Sequence, residues 1–508
     1  MKKVVICVIH NDYMSLDLGI AKYREGYDVY FVGCDKSVNF CGFQNPRGCK
    51  LLCSICASAM KKEIQKLVKE DPARYHYETV SALLNKEIIS HANNMVFNYA
   101  NTKELKELTY KGVEIGYAAF SSFVSLTRNV MPTYNETLKS YLCEVLRREV
   151  MLTDALDTYI ERLNPELIIF HNGRMPNCKP PYCLAKSKGI NYIATERIPT
   201  TGESIMDNFI NDVPHSYSAI HAKIESVWAK AGKEKYEIGK SFYDNRYHSK
   251  PAGDKIYTKD QKLGMLPDGF DTSKRNIVIF NSSEDEYFSI SKKFDESVLF
   301  PNQYIALKTI FERYKDTKGV HFYLRIHPNL AQVPFKSHTM LYDLKYDNVT
   351  IIPPASPISS YTLMENAEKI LVFNSTMGLE SSYWGKPVIA MSSCFYSGYG
   401  IVYEPQNTIE LFSLIEDQYL APQKAPKEIY YKLAYRLMGQ VGDKLKFYKC
   451  SESFLLFPFR DTKPLRRYTT FKTLGSTYLY TILVHLFQLL SRKGVLSRYG
   501  DNYMKATI

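Results

Sequence analysis

Two short stretches of the chain carry the side-chain types that handle phosphate. The first is Arg325-Ile326-His327-Pro328-Asn329, directly after an apolar run that reads as a β-strand. Proline fixes its own φ and has no N–H, so the strand must end there and the histidine is presented at the sheet's edge. An imidazole so placed can donate a hydrogen bond to a phosphate oxygen and, when protonated, offset its charge. The competing reading is a strand-end histidine satisfied by backbone. The second stretch, Asn374-Ser375-Thr376-Met377-Gly378-Leu379-Glu380, joins another apolar run to a helix. Its hydroxyls and unpaired backbone N–H groups at a helix start form the usual anion site. Gly378 permits close backbone or helix–sheet approach, and Glu380 can accept hydrogen bonds from ribose hydroxyls. A plain N-cap with an acidic charge in the first turn competes with that reading. Because both stretches follow strands of one expected sheet, their ends converge on one crevice, which suits a nucleotide mono- or diphosphate donor.

Moving a group from such a donor requires stabilisation of the departing phosphate and deprotonation of an acceptor hydroxyl. His327, Ser375 and Thr376 answer the first need, with Arg325, Pro328, Asn329, Gly378 and Glu380 around them. For the second, Glu196 at a strand end in the first half is the expected base and Asp285, at a strand end in the second half, its alternative. His10, Asn11, Asn172, Gly173, Arg174 and Arg197 also fall at strand ends in the first half and are the expected acceptor side of the crevice. Arg174 suits an acidic acceptor or the phosphate, since guanidinium pairs with planar oxyanions. A structural ion-pair network bracing the cleft is the competing reading of Arg174, Glu196 and Arg197. No Asp-x-Asp stands at a strand end, so a catalytic divalent ion is not required. Cys53-Ser54-Ile55-Cys56 is a good zinc half-site, but the Cys34 to Cys41 spacing is not that of a standard knuckle. A structural zinc on Cys34, Cys41, Cys53 and Cys56 therefore stands against ordinary buried thiols.

The elements that must position these residues follow from hydrophobic pattern. At 508 residues the chain suits two α/β domains of about 200 residues each, with insertions and a tail. In the first half, Val4–Ile9, Val29–Val32, Leu167–Phe170 and Tyr192–Thr195 read as strands. In the second, Asn276–Asn281, His321–Ile326, Val349–Ile352, Lys369–Phe373 and Val388–Met391 alternate with helices, which predicts a parallel sheet covered on both faces. The expected organisation is a Rossmann-like domain over 1–205 with a strandless helical insertion at about 57–163, and an irregular bridge over 206–272. A second Rossmann-like domain covers 273–420 and a helical tail 421–508. Lys and Arg exceed Asp and Glu, giving a net charge of +12, which favours anionic partners; no nucleic-acid-binding signature is present. Eleven scattered cysteines fit a reducing, cytoplasmic setting. The first residues read as a strand rather than a cleavable leader. Leu474–Leu490 is too short and too polar for a membrane span. Flanked by Arg466, Arg467, Arg492, Lys493 and Arg498, it reads either as a helix packed on the domains or as an interfacial helix on the anionic inner membrane.

Asn374–Glu380, followed by Tyr383-Trp384-Gly385-Lys386-Pro387-Val388-Ile389 and then Tyr396, resembles the donor-domain signature of the capsule polysaccharide biosynthesis family. His327-Pro328 resembles the element that capsule-type Kdo transferases and bacterial polysialyltransferases use against a CMP-sugar phosphate. Ser282-Ser283-Glu284-Asp285-Glu286-Tyr287 is similar to the family as well. Phe170-His171-Asn172-Gly173-Arg174 resembles its FNGR element, with His171 as an insertion, and Glu196-Arg197 its later Glu-Arg pair. The resemblance spans roughly residues 1 to 405 and implies a GT-B-like fold, two Rossmann-like domains facing across a cleft. It implies transfer of a sugar, a CMP-linked acidic sugar among the candidates, from a nucleotide sugar to a growing capsular or surface polysaccharide or lipopolysaccharide. It implies a glycan or glycolipid acceptor and no cofactor beyond the nucleotide-sugar co-substrate. Asn329 departs from the serine that related transferases carry after His-Pro, and the motifs do not identify the donor sugar. Two other activities fit the same fold: a CDP-polyol phosphotransferase of the teichoic type, and a non-catalytic polymer-binding scaffold.

Overall fold

Apolar runs that are continuous rather than alternating make strands buried on both faces, and such runs recur along this chain. The protein is seen in a computed structural model that describes residues 2–9, 12–35, 37, 50–127, 129–198, 205–253, 257–296, 299–331, 336–447, 460–462 and 466–468. His10, Asn11, Cys41, the side chains of Cys53 and Cys56, and the Leu474–Leu490 segment lie outside the described residues. The strands of the two large sheets are β1 (Lys3–Val8), β2 (Asp28–Gly33), β3 (Tyr75–Thr79), β4 (Leu167–His171), β5 (Asn191–Ile198) and β6 (Ile205–Ile210), then β7 (Arg275–Phe280), β8 (Val320–Arg325), β9 (Val349–Ile352), β10 (Lys369–Val372), β11 (Val388–Ala390) and β12 (Asp443–Lys444); Arg460–Thr462 and Arg466–Tyr468 pair separately as an antiparallel hairpin within the segment expected to be a helical tail. All of β4 and β10, and β1 and β7 after their first residues, are buried.

They form two sheets, ordered β12-β6-β5-β4-β1-β2-β3 and β11-β10-β7-β8-β9. Both contain the doubly wound parallel core of a Rossmann-like domain, so the fold is α/β with two such domains, the GT-B-like arrangement. The second sheet is parallel throughout. Strand order reverses beside β1 in the first sheet and beside β7 in the second, and a crevice opens at the carboxyl ends of the strands at each reversal.

The structure differs from the sequence reading at three places. β3 lies within the segment expected to be purely helical and pairs in parallel with β2; its sequence, Tyr-His-Tyr-Glu-Thr, has aromatic rings where an apolar run would signal a strand. β6 begins the segment expected to be an irregular bridge and pairs antiparallel with β5. The rest of that segment holds two helices, Tyr217–Lys230 and Glu234–Tyr247. These helices pack with Lys427–Leu437 from beyond the second sheet: Trp228 Nε1 donates to Glu428 at 2.8 Å and Tyr243 Oη to the Tyr430 carbonyl at 2.8 Å. The chain then returns to the first sheet, where β12 pairs with β6 and the Lys446 and Phe447 amides donate to Asp17 at 3.1 and 2.6 Å. Part of the expected tail thus belongs to the body of the molecule. Among the described residues, no helix is long and apolar enough to cross a membrane.

Candidate functional site

The carboxyl ends of β7, β8 and β10 surround one cavity of about 210 Å³. β7 runs into Asn281-Ser282-Ser283, β8 into His327, and β10 into Asn374-Ser375-Thr376. His327 and the Ser375-Thr376 pair therefore face the same space, with Asn329 beside them.

His327 is held at three points. Its backbone N–H donates to Asn281 Oδ1 at 2.7 Å, its Nδ1 accepts from the Asn329 amide at 3.2 Å, and the Tyr257 ring meets it edge-on at 5.1 Å. An accepting Nδ1 puts the proton of the neutral ring on Nε2, the arrangement that leaves an N–H donor directed away from the backbone. Tyr257 Oη donates to Asn329 Oδ1 at 2.9 Å and so fixes the residue that follows His-Pro.

Ser375 is the N-cap of the helix Thr376–Tyr383, accepting from the Met377 amide at 3.3 Å. A capping serine keeps its O–H as a donor, and the helix start adds amide dipoles of the right sign for an anion. Asn374, at φ 40°, sits in the left-handed region that turns the strand into the helix. Gly378 is needed because the Tyr396 hydroxyl occupies the space beside it while donating to the Ser375 carbonyl at 2.7 Å.

A cation that sequence reasoning missed completes the group. Arg246, from the Glu234–Tyr247 helix, places Nη2 3.4 Å from Thr376 Oγ1 and 3.5 Å from Glu380 Oε1. Its helix is positioned by Tyr243, whose ring stacks on Tyr383 at 3.8 Å. Nothing in that polar stretch marks an arginine as facing a phosphate loop of another domain. Glu380 is buried and also accepts from the Tyr361 hydroxyl.

Other expected site residues have their side-chain donors and acceptors taken by protein groups. Arg325 donates to the Pro353 and Ser356 carbonyls at 2.9 and 3.0 Å, and burial pulls its guanidinium down to about 10; it also lines a small pocket with His327, Ser375, Thr376 and Glu380, where its buried Nε has no partner. Arg174 donates to the Glu286, Asp285 and Phe288 carbonyls at 2.6, 3.0 and 2.7 Å and to Ser121 Oγ. Burial lowers it to about 10 against the raising influence of Asp285, Glu286 and Glu196. It is a clasp between the first domain and the loop after β7, not an open guanidinium for an acidic acceptor. Glu196 accepts from the Asn172 amide and from the Arg197 N–H at 3.0 Å, while Arg197 Nε is buried with no partner. Gly173, at φ 79°, makes the turn between Asn172 and Arg174. Asn172 in turn accepts from His215 Nε2 at 3.2 Å. Burial, then the charges of Arg174 and Lys179, press His215 down to about 3, so it stays neutral.

Of the acidic loop, Asp285 is buried with its carboxylate on Ser283 Oγ at 2.7 Å, whereas Glu286 is exposed. Glu286 lines both the phosphate-side cavity and a neighbouring one of about 270 Å³ between the domains, where His215, Tyr217 and Asn374 also lie. Cys34 is partly buried. Among the described residues no group of three or more His, Cys, Asp or Glu is placed to hold a metal ion.

Residues 300–430, which contain β8 to β11 and both phosphate-side loops, match the family model for capsule polysaccharide biosynthesis proteins. No curated protein matches the chain. Among solved structures it is similar to the beta Kdo 2,4 transferase KpsC of Thermosulfurimonas dismutans, at 14% identity over 53% of this chain and 79% of that one, TM-score 0.33. It is also similar to the beta Kdo 2,7 transferase of the same KpsC, at 12% identity over 65% and 89%, TM-score 0.30. A third likeness is to the UDP-GlcNAc 2-epimerase of Neisseria meningitidis bound to UDP-GlcNAc, at 12% identity over 85% and 94%, TM-score 0.25.

Proposed function

We propose that the protein is a nucleotide-sugar-dependent glycosyltransferase that adds a sugar to a capsular or other surface polysaccharide. The observation that carries this reading is the meeting of His327, Ser375, Thr376 and Arg246 around one cavity at the strand-order reversal of the second sheet. An imidazole N–H, two hydroxyls, a helix start and a guanidinium are the groups that bind a diphosphate or a phosphate monoester and stabilise it as it leaves. The residues present account for leaving-group stabilisation by protein donors alone. The sugar then extends from the phosphate toward the interdomain space, and the acceptor hydroxyl loses its proton to a carboxylate there. Glu286 is the acid we assign to that role, because it lines both cavities whereas the expected bases Glu196 and Asp285 line neither. His215 and Tyr217 line that space with it. The family of residues 300–430 supports the same polymer class.

The test is release of free nucleotide from nucleotide sugars in the presence of acceptor glycan. His327→Ala is expected to lower turnover by about 10²–10³-fold, the usual cost of one leaving-group donor. Unchanged turnover in that variant, or a product joined by a phosphodiester, would overturn the reading.

A further inference from the structure

The hydrogen bonds around His215 fix which of its ring nitrogens is bare. Asn172 and Gly173, directly after β4, take φ 57° and 79°, left-handed values that end the strand in a tight turn. The Asn172 side chain then lies between Glu196 of β5 and His215. A carboxylate only accepts, so Glu196 takes the Nδ2 protons and leaves Oδ1 on the other side. The Arg174 backbone N–H donates to that oxygen at 3.2 Å, which fits the same orientation. His215 Nε2, also 3.2 Å from Oδ1, must therefore carry the ring proton, and the lone pair is on Nδ1. Nδ1 has no partner among the described residues. Burial, then the charges of Arg174, Lys179 and His171, oppose a second proton on the ring.

His215 lines the interdomain cavity of about 270 Å³ together with Tyr217, Glu286, Tyr287 and Asn374. The neighbouring side chains have few protons left to offer. Tyr217 Oη donates to the Ser393 carbonyl at 3.2 Å, Tyr287 Oη donates to Ser282 Oγ, and Asn374 Nδ2 gives one of its two protons to Tyr217 Oη at 3.3 Å. The Glu286 carboxylate has none to give, so lone pairs predominate on this wall. A carboxylate or phosphate bound there would face the bare nitrogen and Glu286. An ammonium would be repelled by the same Arg174 and Lys179 charges that keep the imidazole neutral. An apolar group would leave Nδ1 dehydrated and unpaired, at a cost. A neutral group that brings its own proton, a hydroxyl, meets all three conditions.

We propose that His215 binds the acceptor sugar: its Nδ1 accepts a hydrogen bond from one hydroxyl and so holds a neighbouring hydroxyl toward Glu286, with Asn172 and Glu196 as positioning residues that lock the imidazole tautomer. No bond is made or broken at His215. The proposal rests on the glycosyltransferase reading and adds to it the residue that orients the acceptor's hydroxyls.

The test reads the imidazole nitrogens of the full chain, made with isotope-labelled histidine, by NMR. Spectra are taken alone and with short oligosaccharides cut from the surface polysaccharide of the cells that make the protein. The His215 signals are those lost in His215→Gln. The ring is expected to be neutral with its proton on Nε2 throughout about pH 5–8, and the oligosaccharides should shift the bare Nδ1. Glu196→Ala, which frees the Asn172 amide to turn over, should mix the two tautomers. His215→Gln keeps an N–H for Asn172 but loses the lone pair, and should weaken oligosaccharide binding at least tenfold. His215→Asn, whose amide oxygen can take the place of Nδ1, should stay within about threefold of the unaltered chain. Thermal unfolding of both variants controls for folding. A proton on Nδ1, a charged ring at neutral pH, absence of oligosaccharide binding, an Nδ1 signal indifferent to it, or undiminished binding by His215→Gln would overturn the proposal. If the oligosaccharides behave as expected while no nucleotide sugar is turned over, the transferase reading fails and the hydroxyl site stands. Turnover with an oligosaccharide KM that ignores His215→Gln would leave the transferase reading and remove this one.

Discussion

At Gly378 a Cβ would collide with the Tyr396 hydroxyl and sit 3.0 Å from Val372 Cγ2. That hydroxyl also fixes the Ser375 carbonyl, so one missing methyl group lets the phosphate-side helix begin where it does. Gly378→Ala is expected to destabilise the protein by about 1–3 kcal/mol through overpacking, measured by urea denaturation, with partial recovery in the double variant Gly378→Ala/Tyr396→Phe. Glu284 carries a second residue-scale expectation. Its carboxyl ionises at about 8 in the folded chain and near its ordinary 4.5 when unfolded. Between those values the native state holds the extra proton, so the group's contribution favours folding less as pH rises from about 4.5 to 8. Groups around it are Gln303, whose amide lowers its pKa, Asp285, which raises it, and Lys106, which lowers it. Glu284→Gln should therefore flatten the fall in Tm across that window; an unchanged pH dependence would contradict the assignment. Residue types alone indicated which loops could meet a phosphate, because His-Pro and Ser-Thr-x-Gly each end a strand. They could not show that Arg174 and Arg325 spend their donors on carbonyls, since carbonyl density around a side chain is a property of folded loops.

Elements differ in how plainly they announce themselves. β7, β8 and β10 are short apolar runs ended by Asn, His-Pro and Asn-Ser, and each was legible as a strand with polar residues at its carboxyl end. β6, with Asp207 and Asn208 among its apolar residues, and the polar helix Glu234–Tyr247 lack that contrast, so a cation essential to the proposed site went unread. Arg246 reaches the phosphate loops only because Tyr243 stacks on Tyr383 and the Lys427–Leu437 helix covers its other side. Arg246→Ala should weaken nucleotide binding at least tenfold, read by calorimetry, and lower thermal stability as well because it leaves the buried Glu380 without its cation. Arg174 acts at this scale too, by fixing the loop that carries Glu286 and Tyr287. Arg174→Ala leaves three carbonyls short of a donor, of which the buried Asp285 carbonyl costs about 1–3 kcal/mol before relaxation. Its expected signature is a fall in kcat with nucleotide affinity retained; lost nucleotide affinity with intact fold would place Arg174 in the phosphate site instead.

The two sheets are joined by a chain that leaves the first after β6 and returns to it at β12. Buried Asp207 of β6 pairs with Lys223 of the Tyr217–Lys230 helix and with Arg436 of the Lys427–Leu437 helix, the latter at 3.2 Å. Asp207→Ala would strand two cations at this joint and should cost on the order of 3 kcal/mol in urea denaturation. Two α/β domains were legible from the two strand alternations, whereas the joint was not, because pairing partners far apart in sequence leave no local pattern. The whole account depends on loops from β8 and β10 serving one phosphate group. Calorimetric titration of the intact protein with CMP, CDP, UDP and GDP, repeated on His327→Ala and Thr376→Val, tests this most directly. At least one nucleotide should bind, and each substitution should weaken it tenfold or more. Binding that ignores either loop, or no binding by any of the four, would contradict the account.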